Sequence, residues 1–363
     1  MKTFRINCSK KYDIIIGSGF LYKAGRCIEE VLPSCKVCIV SDENVRALYG
    51  GEQSAMYQSL LSAGFDVYEY GFAPGEKSKN LQTVEALLDF LAENRFSRED
   101  ALIAFGGGVT GDLTGFAAAT YMRGIKYVQM PTTLLACVDS SVGGKTGVNL
   151  TSGKNLAGAF WQPELVLADT DVFASLTEDL WQDGLAEMVK AGMIGDPSLL
   201  KDLSGSNIQT LDGDALTSLI LKAIAVKAAI VEEDERENGL RRLLNFGHTL
   251  GHAIEKCSVY EISHGRAIAA GMLIETVAAE RKGLSSIGNA ELLVNLLERL
   301  GFDTSSLLAD TKSIGTANLT QTALGDKKAH GDTITIVYPM RPGHCEMHEL
   351  PVGELEDYIR SGL

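Results

Sequence analysis

The chain has 363 residues, 45% of them apolar and 22% charged, with a net charge of −14. That is the make-up of a globular protein with enough chain for two domains, and the acid excess excludes a nucleic-acid surface, which needs a basic face. No apolar run reaches bilayer length, so no membrane partner is expected, and seven scattered cysteines point to a reducing compartment, the cytoplasm.

In chain order, the amino terminus alternates apolar and polar residues as a strand does, and it lacks the apolar core and cleavage site of a signal peptide. Apolar runs at Lys36–Ser41, Phe65–Tyr70, Ala101–Phe105 and Tyr127–Met130 predict strands, separated by helical stretches such as Ser78–Asn94. This alternation implies βα units and a mostly parallel sheet. Cys35 and Cys38 form a CxxC at the head of one strand, but no second pair follows, so packing is expected there and not zinc. Near Thr177 the pattern becomes helical and stays so to about Ala323, with glycine stops at Gly239, Gly283 and Gly301. A short strand is expected at Thr333–Tyr338. The expected division is an α/β domain over residues 1–176 and a mainly helical domain over 177–363.

Three features carry chemistry. The strand Ala101–Phe105 runs into GGGVTGD, where Gly106, Gly108 and Gly111 have the GxGxxG spacing that lets backbone N–H groups approach a pyrophosphate. Other strands precede it, and one ends in Ser41-Asp42-Glu43-Asn44, whose acid suits a ribose hydroxyl; the site should therefore be a variant of the Rossmann arrangement. Next, three of the six histidines fall close together, His248 and His252 on one helix face and His264 at the head of the following helix. Glu187 and Lys190 sit three apart upstream. A His₂Glu set with open positions suits a catalytic zinc, although the spacing leaves open which two histidines ligate. Thr249 after the first histidine excludes the HExxH protease pattern. Finally, Arg123, Lys145, Lys154, Lys190, Lys227, Arg241 and the pair Lys327–Lys328 recur beside these motifs, several among glycines and small apolar residues. In so acidic a chain they suggest a pocket for a strongly anionic small molecule.

The blocks GGGVTGDLTGF, MRGIKYVQMPTTLLACVDSSVGGKTGVN, GKNLAGAFWQP, GLAEMVKAGMI, DERENGLRRLLNFGHTLGHAIE and HGRAIAAGM resemble, in order, the signatures of 3-dehydroquinate synthases. The resemblance implies an α/β amino-terminal Rossmann-like NAD-binding domain and a mainly α-helical carboxyl-terminal metal-binding domain. It implies Glu187, His248 and His264 as ligands of Zn²⁺ or Co²⁺, with His252 as a hydrogen-bonding and proton-transfer residue. NAD contacts would fall on Asp42, Asn44, Glu76, Lys79, Gly107, Gly108, Val109, Asp112, Thr132 and Thr133. Asp139, Lys145, Lys154 and Asn155 would line the junction of cofactor and substrate. Lys190, Lys227, Glu237, Arg241, Asn245 and one of Lys327 or Lys328 would complete the pocket, with Arg123 reaching substrate phosphate across a homodimer.

The reaction implied converts 3-deoxy-D-arabino-heptulosonate 7-phosphate to 3-dehydroquinate and phosphate. It proceeds by transient NAD-dependent oxidation, phosphate elimination, re-reduction and intramolecular aldol closure. Ser175–Leu180, Cys137 and Arg266 depart from the family pattern. Two other readings share these motifs. One is another sugar phosphate cyclase, such as 2-deoxy-scyllo-inosose synthase, against which Lys227 and Arg241 speak, since a carboxylate-free substrate gives them no partner. The other is a glycerol-dehydrogenase-like oxidoreductase, which would release NADH.

Overall fold

The computed structural model describes residues 1–205, 208–325, 329–330 and 332–363. It divides into two compact units, Met1–Leu176 with Asp212–Thr217, and Thr177–Leu211 with Ser218–Leu363.

The first unit contains strands β1 (Lys2–Asn7), β2 (Lys11–Gly17), β3 (Lys36–Asp42), β4 (Asp66–Phe72), β5 (Ala101–Gly106), β6 (Lys126–Pro131), β7 (Lys145–Leu150), β8 (Gly153–Phe160) and β9 (Leu165–Asp169). Its helices are α1 (Ala24–Glu29), α2 (Glu43–Tyr49), α3 (Ala55–Ser62), α4 (Leu81–Glu93) and α5 (Gly108–Thr120). Seven strands form one sheet in the order β1-β2-β9-β6-β5-β3-β4, parallel except where β1 meets β2. Alternation along β3 serves both faces. Val37 and Ile39 pack with Ile28 of α1 and Leu60 of α3, whereas Cys38 and Val40 pack with Leu87 of α4 and Leu113 of α5. Cys38 is therefore a core residue, and no cysteine of the chain forms a disulfide.

From β3 the chain passes to β4 on one side and then to β5 on the other. Strand order thus reverses between β3 and β5, and open parallel sheets bind ligands outside the carboxyl ends of strands at such a reversal. The β7–β8 hairpin lies outside the strands expected from sequence, because Gly147, Gly153 and Gly158 interrupt any apolar alternation. Glycine is required there, since a Cβ on Gly158 would lie 2.3 Å from the Thr146 carbonyl oxygen.

The second unit contains α6 (Glu178–Ile194), α7 (Pro197–Ser204), most of α8 (Gly213–Glu233), α9 (His248–Cys257), α10 (His264–Arg281), α11 (Asn289–Arg299), α12 (Thr304–Ile314), α13 (Thr316–Gly325) and α14 (Leu355–Gly362). A small antiparallel sheet, β10 (Ala329–His330), β11 (Thr333–Arg341) and β12 (His344–Pro351), extends the strand expected at Thr333–Tyr338. Gly283 and Gly301 follow α10 and α11 with φ of 72° and 88°, as helix stops do. Gly239 does not stop a helix: α8 ends at Glu233, and Gly239 precedes a 3₁₀ segment, Leu240–Asn245.

Long α10 is buried along most of its length and packs on α6, α9 and α14. Small residues let these backbones close. A Cβ on Gly271 would sit 2.1 Å from the Gly247 carbonyl oxygen, and one on Gly265 would sit 2.4 Å from Asp183 Cα. Among the described residues no helix is long and apolar enough to cross a membrane.

Candidate active site

Helices α6, α9 and α10 each deliver one residue to a common point in the second unit. Glu187 Oε1 lies 3.3 Å from His248 Nε2 and 3.3 Å from His264 Nε2. The three donor atoms lie within 4.8 Å of one another. Ligand atoms held tetrahedrally at roughly 2.0–2.1 Å from zinc stand about 3.3–3.4 Å apart, so both separations fit a zinc-sized ion. His252, one turn beyond His248, stands beside this group with its ring centroid 5.2 Å from that of His248 and 6.4 Å from that of His264. The other oxygen of Glu187 contacts the Lys190 ammonium, and both side chains are buried.

The electrostatics follow from this crowding. Burial opposes ionisation of Glu187, but Lys190 and His248 hold its carboxyl well below the usual range. Burial and then the Lys190 charge push His248 down to about 3. Burial acts to lower His264 as well, yet its contacts with Glu187 and Glu255 raise it to about 10. Both rings face Glu187, but His264 also faces Glu255 while the Lys190 charge acts on His248, so the proton sits on His264.

Secondary contacts fix the frame. Gly247, left-handed with φ of 76°, precedes α9, and its N–H donates to buried Glu275 Oε2 at 2.7 Å. The Gly265 N–H donates to Asp183 Oδ1 at 2.6 Å, which ties the start of α10 to α6.

Three expected pocket cations are buried in this unit: Lys190, Lys227 and Arg241 are 3%, 9% and 2% exposed. Cations so removed from water call for anionic partners. Arg241 is placed by its own loop. Asp234 accepts hydrogen bonds from the N–H groups of Asn238, Gly239 and Arg241 at 2.9, 2.7 and 3.0 Å, and the Arg241 guanidinium donates to the Glu235 carbonyl. Glu237 adopts φ of 62°, and its Oε1 accepts from Asn245 Nδ2 at 3.4 Å. Lys327 and Lys328 lie outside the described residues.

In the first unit, the residues expected to hold NAD gather at the carboxyl ends of β3, β5 and β6. Asp42 ends β3 and caps α2, accepting from the Asn44 and Val45 N–H groups at 2.9 and 3.1 Å. Gly107 caps α5, which opens with Gly108 and Val109 and carries Asp112 as its fifth residue. Thr132 follows β6, its N–H donating to the Gly106 carbonyl at 3.0 Å, and Thr133 accepts from the Ala136 N–H at 3.1 Å. Buried Lys79 reaches Asp112 Oδ2 at 2.5 Å and Asn155 Oδ1 at 2.7 Å. Against burial, Asp112 and Glu76 raise its pKa.

Asn149, which sequence reading overlooks, joins this network by donating to Glu76 Oε1 at 2.7 Å and accepting from the Asn155 N–H at 2.9 Å. Asp139 lies in a π-helical segment, Ala136–Ser140, while Lys145 and Lys154 stand on β7 and β8. Exposed Arg123 follows α5 in a left-handed turn with φ of 67°.

The departures from the family pattern are local. Cys137 is buried in the π-helical segment, Thr177 is the N-cap of α6, and Arg266 pairs with Asp310 at 4.0 Å. Sequence reading also passes over Asp183, Asp234 and Glu255. A signal exists for two of them: Asp183 lies one turn before Glu187, and His248, His252 and Glu255 are spaced i, i+4, i+7.

Comparison with known proteins adds a family. The family model for the 3-dehydroquinate synthase N-terminal region matches residues 69–183, and that for the C-terminal region matches residues 184–329. The 3-dehydroquinate synthase of Streptococcus sanguinis is 41% identical over 353 residues, covering 96% of this chain and 97% of its own. That of Enterococcus faecalis is 42% identical over 350 residues, with coverages of 96% and 95%. A solved 2-deoxy-scyllo-inosose synthase, complexed with carbaglucose-6-phosphate, NAD⁺ and Co²⁺, matches all of both chains with a TM-score of 0.87 at 27% identity. A 2-epi-5-epi-valiolone synthase from Streptomyces hygroscopicus, with NAD⁺ and Zn²⁺ bound, matches 99% of both chains with a TM-score of 0.83 at 26% identity. A probable glycerol dehydrogenase from Sinorhizobium meliloti, at 14% identity and a TM-score of 0.65, shares the fold alone.

Proposed function

The chain belongs to the 3-dehydroquinate synthase family, and on that premise we propose how its residues divide the work of the reaction. The activity is conversion of 3-deoxy-D-arabino-heptulosonate 7-phosphate to 3-dehydroquinate and phosphate. The observation that carries the reading is the grouping of Glu187, His248 and His264 at the spacing of ligands around one ion. When bound, the metal supplies a Lewis acid for neighbouring hydroxyls and NAD⁺ a reversible hydride acceptor, a pairing that the two cyclase complexes also contain.

The chain's own residues bind, orient and move protons. The first unit holds the nucleotide: the start of α5 offers backbone N–H groups to pyrophosphate, and Asp42 takes a ribose hydroxyl. Lys79 fixes Asp112 and Asn155 in place. In the second unit, Glu187, His248 and His264 hold the metal, and Lys190 keeps Glu187 ionised. Lys227 and Arg241, buried and cationic, hold the substrate's anionic groups, so the reacting atoms stay aligned through several steps. His252, beside the metal group but outside it, relays protons. Glu237 and Asn245 complete this wall, and Asp139, Lys145 and Lys154 serve the junction of cofactor and substrate.

The protein is further proposed to act in the cytoplasm, which suits seven thiols without a disulfide, and as a homodimer. Exposed Arg123, held outward by its left-handed turn, would reach the partner's substrate phosphate with its planar fork. Phosphate release from the heptulosonate phosphate tests the whole reading. It should require NAD⁺, stop with a chelator and leave no accumulated NADH. Stoichiometric NADH would overturn it in favour of a dehydrogenase. For Arg123, mixed dimers of inactive R123A and K145A chains should recover part of the activity.

A further inference from the structure

The two histidines that face Glu187 both present Nε2 to it. A neutral imidazole that ligates through Nε2 carries its proton on Nδ1, and that proton calls for an acceptor. For His248 the acceptor is a neutral carbonyl, Phe246 O, 3.2 Å from Nδ1. For His264 the facing group is a carboxylate: Glu255 Oε2 stands 3.6 Å from Nδ1, an ion-pair separation, on a buried side chain.

The arrangement around His264 leaves Glu255 a defined task. Asp183 holds the Gly265 N–H at 2.6 Å, and the absent Gly265 side chain lets α10 close on α6, so the His264 backbone is fixed. What remains free is rotation of the ring, and Glu255 lies on the far edge of that ring from Glu187. It also comes from α9, two turns after His248 on the same face. One helix therefore supplies a ligand and the group that faces the other ligand.

We propose that Glu255 is a positioning residue of the metal centre, setting the tautomer and orientation of His264. The proposal rests on the metal reading given above. Outer carboxylates of this kind orient a ligating imidazole and increase its basicity, and losing one typically costs about 10–100-fold in metal affinity. His248 Nδ1 faces a neutral carbonyl instead, so the two imidazole ligands are unequal.

Chelator competition from the zinc-loaded protein, with visible spectra of the Co²⁺-substituted protein, tests this on wild type, E255A, E255Q and H264A. E255A should release zinc with affinity lowered about 10–100-fold and should shift the cobalt bands. E255Q keeps an acceptor but no charge, so it should recover part of the affinity while its cobalt bands stay displaced. Wild-type affinity and an unshifted spectrum in E255A would overturn the proposal. Should E255A fail to fold, the same wild-type result in E255Q would overturn it. H264A separates the two layers: if it too keeps wild-type affinity, the metal reading falls and not the positioning role alone.

Discussion

The two units build their candidate sites by different means. In the second, ionisable side chains from three helices crowd one point, and their pKa values move in opposite directions, His248 down to about 3 and His264 up to about 10. In the first, the framework is mainly backbone: a glycine cap on α5, the Asp42 cap on α2 and a Thr132 N–H closing on Gly106. Lys79, raised by Asp112 against its burial, is the charged pin of that framework. The difference teaches that one site depends on which atoms carry protons, while the other depends on where the chain is held.

The largest test removes the metal group. Glu187→Ala should lower phosphate release about 10³-fold, the several kcal/mol a Lewis acid supplies, and the purified protein should lack zinc by elemental analysis. Retained zinc would break the contrast. His252→Ala should lose about 10²-fold in kcat yet keep its metal, as befits a proton-transfer residue beside the ligands. On the other side, Lys79→Met should weaken NAD⁺ binding about ten- to hundredfold, measured by calorimetry, with zinc content unchanged.

Acidity sharpens the contrast further. In metal-free protein, His264 has a folded pKa above its unfolded value of about 6.5, so its contribution is full below 6.5 and lost as pH rises through 10. His248 has a lowered folded value, so its contribution is present above about 6.5 and lost as pH falls toward 3. Thermal melts of the metal-free protein should therefore peak near neutral pH. Zinc uptake at pH 8 should release about one proton from His264, read by calorimetry in buffers of different ionisation enthalpy. No proton release would contradict a protonated His264 in the metal-free protein.

The smallest effect concerns strain. Val259, exposed and β-branched, takes φ of 53° in the turn between α9 and α10, and Val259→Gly should stabilise by about 1 kcal/mol in denaturant unfolding. Asn155 adopts the same φ of 53° in the first unit, but asparagine tolerates it, so Asn155→Gly should gain no such stability and should loosen Lys79.

By itself the sequence determined what local pattern can determine. Apolar runs locate β3, β5 and β6, because a strand buried on both faces leaves a short continuous signal, and they locate β4 although it is half-exposed at the sheet edge. Histidine spacing places His248 and His252 on one helix face, and the glycine turn after β5 marks the nucleotide end of the sheet. Gly239 misleads, because a glycine after a helical pattern resembles a stop even where the chain continues into a 3₁₀ turn. The β7–β8 hairpin is silent in sequence, since Gly147, Gly153 and Gly158 interrupt its apolar alternation, although Val148 packs into the core.

Only the tertiary structure decided which histidine nitrogens face Glu187, that Glu255 stands behind His264, and that Asn149 ties Glu76 to Asn155. It also placed the reversal of strand order between β3 and β5. The physical reason is common to all of these. Glu187 and His264 are 77 residues apart, and which of their atoms meet depends on how closely α6 and α10 pack. The missing side chain at Gly265 sets that closeness, as the one at Gly271 does for α10 against Gly247, and periodicity along a single helix carries no trace of it.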